Sequence, residues 1–225
     1  MEIKPIAHIK TDFKEKFGIP RQSGIIEQIT GEIIFEKEFR NPDALRGIEE
    51  YSYLWLIFDF SKNHREKFLP TVRPPRLGGN ERRGVFATRS PFRPNNLGLS
   101  CVKLEKVKTD KNSGKILVVC GVDLLDNTPI FDIKPYIPYC DCKPDATGSF
   151  SDSFKDYKID VFYDEEVFKN IDLKTKEKII KIIEQDPAPS YKTENENYAF
   201  IFSNYEICFE KLNSSAKILS VNICK

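Results

Sequence analysis

The chain has 225 residues and a mass of 26.0 kDa, enough for one good core or for a main domain with a small appendage. Hydrophobic residues make up 40% and charged residues 31%, an ordinary globular balance, and the longest apolar stretch, Tyr53 to Phe58, is far too short to cross a bilayer. A net charge of +1 excludes a global field that would draw the chain to nucleic acid, so any such attraction has to be local.

Met1-Glu-Ile-Lys opens directly into structure, with neither a signal peptide nor a transit segment, and the cytoplasm is the expected location. Residues 1–140 read as short strands rich in β-branched and aromatic residues and punctuated by Gly, Pro, Asn and Asp: Ile3–Ile9, Gly24–Glu27, Glu32–Phe39, Tyr53–Phe60, Gly84–Thr88, Leu97–Lys108, Lys115–Leu124 and Ile130–Ile133. One short helix is expected among them, capped by Asn41, opened by Pro42 and ending near Glu50. So many strands at this spacing predict a barrel or sandwich, and the lack of a βαβ rhythm argues against a doubly wound sheet. A polar, turn-rich linker over 142–157 separates a barrel domain, 1–141, from a small α+β unit, 158–225. That unit should contain a helix over Leu173–Glu184 with an isoleucine stripe, strands near Tyr198–Phe202, Tyr205–Lys211 and Ile218–Ile223, and a tight hairpin at Phe202–Tyr205. The expected class is α+β, mainly β.

Familiar catalytic motifs are missing. Gly79-Asn-Glu-Arg-Arg-Gly84 has P-loop glycine spacing, but Val85 stands where the phosphate-binding Lys belongs. His8 sits among apolar residues as a structural histidine, and His64 lies in a charged loop without a Ser-His-Asp or Cys-His pattern around it. Of the six cysteines, Cys140-Asp-Cys142 lacks zinc-ribbon spacing, and Cys101 and Cys120 lie inside apolar runs, so no metal is expected and the thiols read as structural.

The arginines are the informative residues. Seven of the ten (Arg65, Arg73, Arg76, Arg82, Arg83, Arg89 and Arg93) lie between 65 and 93, and Lys serves elsewhere as the general cation. Prolines and glycines within Val72–Asn80 and Gly84–Gly98 pre-order the backbone around them, which lowers the entropy lost on binding an anion. Phe86 and Phe92 alternate with them, the pattern RNA readers use for phosphates and unstacked bases. In a second cluster, Asp123 ends a long apolar run and would need a partner if buried, which Lys134 or Tyr136 could supply.

Taken in order, these segments resemble the TsaA/TrmO family of tRNA methyltransferases. The match runs through Lys14–Gln22, Arg46–Glu49, Leu54-Trp55, Val72–Asn80, Gly84–Arg89, Phe92–Asn95 and Asp132–Tyr136, and Gln185–Tyr191 is similar to that family's C-terminal domain. The resemblance implies a single-sheet β-barrel methyltransferase, a homodimer with S-adenosylmethionine near the subunit interface, and N6 of threonylcarbamoyladenosine next to the tRNA anticodon as the methyl acceptor. It implies cofactor contacts at Arg21, Gln22, Ser61, Lys62, Arg89, Leu99, Cys120, Gly121, Val122 and Asp123. Asp123 is the candidate proton acceptor, and Arg73, Arg76, Arg93, Lys134 and Tyr136 are candidates for RNA contact. The chain departs from many relatives at Ser61, where they have His, at Asn96-Leu97, where they have Pro-Ile, and at Asn127, where they have Gly; the first weakens any catalytic role for that position. A non-catalytic RNA-binding barrel, a methyltransferase with another RNA or small-molecule substrate, and a hydrolase using His64 are the alternatives.

Overall fold

The computed structural model describes residues 2–188 and 196–224, so Pro189, Ser190 and Tyr191 of the C-terminal similarity lie outside the described residues. Strands β1 (Ala7–Thr11), β2 (Thr30–Phe35), β3 (Tyr53–Asp59), β6 (Leu97–Asp110), β7 (Gly114–Cys120) and β8 (Thr128–Pro135) close an antiparallel barrel in the order β1-β2-β7-β6-β3-β8. Between β3 and β6 lies a long excursion that holds only the two-residue pair β4 (Thr71–Val72) and β5 (Arg83–Gly84) and short 3-10 turns. After a one-turn helix α1 (Pro138–Asp141) come β9 (Asp160–Phe162), helix α2 (Leu173–Glu184), β10 (Glu196–Phe202), β11 (Tyr205–Leu212) and β12 (Ser215–Ile223). The last three strands and β9 form a sheet ordered β10-β11-β12-β9, with β9 parallel to β12.

Period-two patterning drives the closure. Along β3 the residues Leu54, Leu56 and Phe58 turn inward, and along β6 Gly98, Ser100, Val102 and Leu104 do the same, with outward neighbours exposed or half-buried. Gly98 is required here: a Cβ on it would stand 2.3 Å from the Phe58 ring. Helix α2 spans the residues its isoleucine stripe predicts, capped by Asp172, whose side chain accepts from the Thr175 amide at 3.1 Å, and it buries Ile179, Ile182 and Ile183.

Several expected elements take other forms. Gly24–Glu27 is a turn rather than a strand, because Gly24 has φ 78° and its amide donates to Gly121 O at 2.8 Å across the barrel end. The helix expected from Pro42 to Glu50 is two 3-10 turns, Pro42–Leu45 and Ile48–Glu50, interrupted by Gly47 at φ 85°. Gly84–Thr88 is mostly a 3-10 turn, Val85–Ala87. Residues Ile3–Ile6 stay outside the first strand, and β9 appears where no strand was expected. Segment 142–157 is not bare connector, since Ser149–Phe154 forms a 3-10 turn.

One hydrophobic core runs through barrel and C-terminal sheet alike. Phe13 and Phe202 form an isolated antiparallel bridge with rings 5.3 Å apart, the Ser203 amide donates to Asp12 O at 2.7 Å, and the Ile201 amide donates to the Glu15 carboxylate at 2.7 Å. Phe17 lies against Tyr198, Phe200 and Phe209 at 5.9, 6.2 and 6.4 Å. Gly18, at φ 87°, lets the backbone pass within 2.8 Å of the Phe200 ring measured from a would-be Cβ. Because these contacts fuse two sheets, Phe202→Ala should cost about 3–5 kcal/mol. Urea denaturation followed by circular dichroism should still show one transition, with a lowered midpoint.

Candidate active site

Asp123 follows β7 at one end of the barrel, half-buried between buried Val122 and Leu124. Ser100, on the inward side of β6, donates its hydroxyl to Asp123 Oδ1 at 2.7 Å. The backbone amide of Ser23 also donates to this carboxylate, and the Ser23 hydroxyl accepts from the Cys101 amide at 3.1 Å. Desolvation dominates these favourable contacts and the nearby Arg89 charge, and pushes the Asp123 pKa up to about 6. The partners are therefore Ser100 and Ser23, not the Lys134 or Tyr136 expected from the sequence. Lys134 is salt-bridged to Asp132 at 2.9 Å, and Tyr136 packs on Tyr53 and Trp55 at 6.2 and 5.8 Å. Ser100 was detectable as the polar residue at an inward position of an alternating strand; nothing local in the sequence pointed to Ser23.

The other candidates gather around the same end. Arg21, Gln22 and Ser23 lie on the β1–β2 connection, and the Gln22 side-chain carbonyl accepts from Arg89, whose charge also reaches Asp123. Ser61 and Lys62 are exposed in the turn that leaves β3, and Lys62 O accepts from Lys16 Nζ at 2.7 Å. That turn is tied to the start of β6: the Phe60 amide donates to Asn96 O at 2.9 Å, and the Asn96 side chain donates to Asn63 O and Pro91 O at 3.4 and 2.8 Å. Leu99 points outward from β6 and is 56% exposed, one residue from the inward Ser100. Cys120 is half-buried with its thiol on Glu105, and burial raises its pKa, which disfavours a thiolate. Gly121, at φ 73°, is packed so that a Cβ would stand 3.1 Å from the Gly24 backbone.

Arg21 faces a cavity of about 140 Å³ lined also by Phe17, Pro20, Ile26, Ile182 and Gln185. Its Nη2 donates to Asp186 O at 3.1 Å, while its buried Nε has no hydrogen-bond partner among the described residues. A buried, unfilled donor beside a cavity suits an anionic or carbonyl group of a small ligand.

The arginine-rich excursion is largely stapled by its own arginines. Arg93 donates to Val85 O and Thr88 O at 3.1 and 2.8 Å, and Arg76 donates to Gln185 O at 2.8 Å while lying 4.1 Å from the Tyr157 ring centre. Arg65 covers the Phe92 ring at 3.5 Å, Arg82 bonds Thr71, and Arg83 pairs with Glu81. Arg73 is exposed and, among the described residues, has no side-chain partner. Phe86, 72% exposed, stacks on Phe68 at 6.3 Å, and the Arg93 guanidinium lies over its ring at 5.7 Å from the centre. The two histidines are paired with carboxylates, His8 with Glu36 at 3.0 Å and His64 with Asp59 at 2.7 Å.

Comparison with known proteins agrees with this arrangement. Residues 8–142 match the tRNA-methyltransferase O N-terminal domain. The tRNA (adenine(37)-N6)-methyltransferase of Escherichia coli (strain K12) is 42% identical over 199 residues, covering 85% of this chain and 83% of that one. The enzyme of the same name from Eikenella corrodens is 40% identical over 174 residues, 76% of this chain and 97% of its own. Two crystal structures of TrmO from Pseudomonas aeruginosa, each 30% identical, superpose with TM-scores of 0.79 and 0.74 over 99% of this chain and 97% and 98% of theirs. A matched domain over most of the barrel, relatives of comparable length and a shared two-part architecture place the chain in the tRNA-methyltransferase O family.

Proposed function

We propose that the chain transfers the methyl group of S-adenosylmethionine to N6 of threonylcarbamoyladenosine next to the anticodon of tRNA. The observation that carries this reading is the Asp123 carboxylate, desolvated to a pKa of about 6 and aligned by Ser100 and Ser23 beside Arg89. S-adenosylmethionine, when bound, supplies a sulfonium methyl that is already electrophilic, so neither a metal nor a covalent nucleophile is required. The residues present suit it: the unpaired Arg21 Nε beside its cavity, Gln22 and Arg89 in one hydrogen-bonded pair, and the close-packed Gly121 turn.

The work left to the side chains is alignment and proton removal. The acceptor nitrogen is ureido-like and weakly nucleophilic, and it becomes competent as its proton moves to an acceptor. A carboxylate with a pKa about 6 is ionised at neutral pH yet more basic than an ordinary Asp, which fits that task. Exposed Arg73 and the exposed Phe86 ring are the best-placed groups for phosphate and base contact. Arg76 and Arg93 support RNA binding indirectly, by fixing the shape of the excursion. Lys134 and Tyr136 extend the surface beside Trp55.

A homodimer belongs to the same proposal. Trp55, Ile57, Leu97, Leu99 and Cys101 form a continuous outward patch across β3 and β6, and Leu97 and Leu99 are 38% and 56% exposed in the single chain. A second copy covering this patch would bring its surface next to Ser100 and Asp123.

The direct test is calorimetric titration of purified protein with S-adenosylmethionine and S-adenosylhomocysteine. Stoichiometric binding is expected, as is methylation of tRNA carrying threonylcarbamoyladenosine; a folded protein that binds neither ligand would sink the reading. Arg89→Ala should lose affinity for both ligands while keeping its melting temperature. Arg73→Ala should weaken tRNA binding and reduce the salt slope by about one unit in a log–log plot, whatever the tRNA sequence.

Asp123→Asn should abolish methyl transfer, and the acid limb near pH 6 in the wild-type rate profile should vanish from any residual activity. The same variant should melt a few degrees higher at pH 7. Because the folded-state pKa is raised, ionisation of Asp123 opposes folding; that penalty is absent below about pH 4 and complete above about pH 6, so the gain should disappear in acid.

A further inference from the structure

We propose that the C-terminal unit sets the position of the barrel's cofactor-side loop through one buried turn, Gln185–Asp186, and that Asp186 is a positioning residue for the reaction. The inference rests on the cofactor reading given above and assigns a role to the unit that the barrel chemistry leaves unexplained.

Asp186 is the only charged residue among the fully buried polar groups described, at 4% exposure. It is also a non-glycine residue in the left-handed region, with φ 49°. Both features cost free energy, and apolar packing of α2 would need neither. They are held by a clamp: Asp186 Oδ1 accepts from Lys211 Nζ at 2.7 Å, and Oδ2 accepts from the Tyr157 hydroxyl at 3.1 Å. The backbone of the turn closes α2, with the Gln185 amide donating to Ile182 O at 3.2 Å and the Asp186 amide to Ile183 O at 2.9 Å.

The two carbonyls of this turn both point at the barrel. Gln185 O accepts from Arg76 Nη2 at 2.8 Å, and Asp186 O accepts from Arg21 Nη2 at 3.1 Å. Carbonyls at a helix C-terminus lack intrahelical donors and carry partial negative charge, so two guanidinium groups are natural partners for them. The arginines come from different loops, one on the β1–β2 connection and one in the arginine-rich excursion, and the single turn fixes both. Burial and the neighbouring Arg76 push the Arg21 pKa below its ordinary value, and Asp186 opposes that shift. Without the Asp186 carboxylate, Lys211 would lose its ion-pair partner and Arg21 the nearby anion that offsets its burial.

From Arg21 the path to the chemistry is two residues long. Gln22 holds Arg89, and Ser23 donates its amide to Asp123. A small shift of Arg21 therefore moves a group that faces the cofactor and one that holds the proton acceptor.

The test uses the full chain with Asp186→Ala, Asp186→Asn and Tyr157→Phe, read by S-adenosylhomocysteine titration, thermal melting and steady-state kinetics. Asp186→Ala is expected to weaken binding by about tenfold and to raise the KM for S-adenosylmethionine more than it lowers kcat. Asp186→Asn tolerates a positive φ and keeps an acceptor for Tyr157, so it should fall between Asp186→Ala and wild type. Tyr157→Phe removes only one hydroxyl and serves if Asp186→Ala does not fold; about a threefold loss is expected. A lowered melting temperature with unchanged ligand affinity, in Asp186→Ala or in Tyr157→Phe, would make the turn purely structural and overturn the proposal. Wild-type protein that binds no ligand would instead overturn the cofactor reading beneath it.

Discussion

The aromatic clasp around Phe13 and Phe17 is the contact on which the candidate site depends. A closed barrel satisfies its own backbone and offers no edge, so a long connection leaving one of its strands has nothing to pair with. Residues 12–23 form such a connection, and they gain order by docking on β10 and β11 through Phe202, Phe200 and Phe209. Dispersion and burial across this joint are non-directional, but the bridge at Phe13 and the tight pass at Gly18 set the register. Residues 21–23 inherit that register, and with it the placement of Gln22 on Arg89 and Ser23 on Asp123.

Arginine does a second kind of ordering in the β3–β6 excursion. With little regular hydrogen bonding available, its guanidinium groups bond backbone carbonyls or cover rings, as Arg93 does over Val85 and Thr88 and Arg65 does over Phe92. A planar fork with five donors suits that task better than lysine. Clustered arginine in a loop therefore carries two meanings at once, scaffold and ligand contact, and composition alone cannot separate them. Arg73 and Arg93 are twenty residues apart in one cluster and differ in this respect, one exposed with no side-chain partner among the described residues and the other bonded to backbone.

What was legible in the sequence followed from periodicity and from resemblance. Alternation gave β3 and β6 nearly to the residue, and the isoleucine stripe gave α2 in full, although its Asp172 cap was not singled out. Positions governed by backbone freedom were read less well: Gly24 and Gly47 lie in runs that look like a strand and a helix, but positive φ turns them into turns. Asn127 shows the reverse case, a non-glycine residue that adopts φ 59° itself, as Asn can. That Asp123 would need a partner was anticipated, but which partners it takes was not, because Ser23 and Ser100 lie 100 and 23 residues away and meet only when the barrel closes. The Asp186 clamp was hidden for the same reason, since it joins Tyr157, Lys211 and two barrel loops across the whole length of the chain.

The adjacency of Leu99 and Ser100 on β6 also bears on how the barrel finds its pairing. Slipping β6 by one residue against β3 would exchange every inward side chain for its outward neighbour. Leu99 would then face Asp123 in place of a hydroxyl, and a carboxylate already short of solvent would be left without that donor. The mispaired strand would thus bear an electrostatic penalty on top of lost packing, so the Ser100–Asp123 pair also proofreads the assembly of the sheet that holds it.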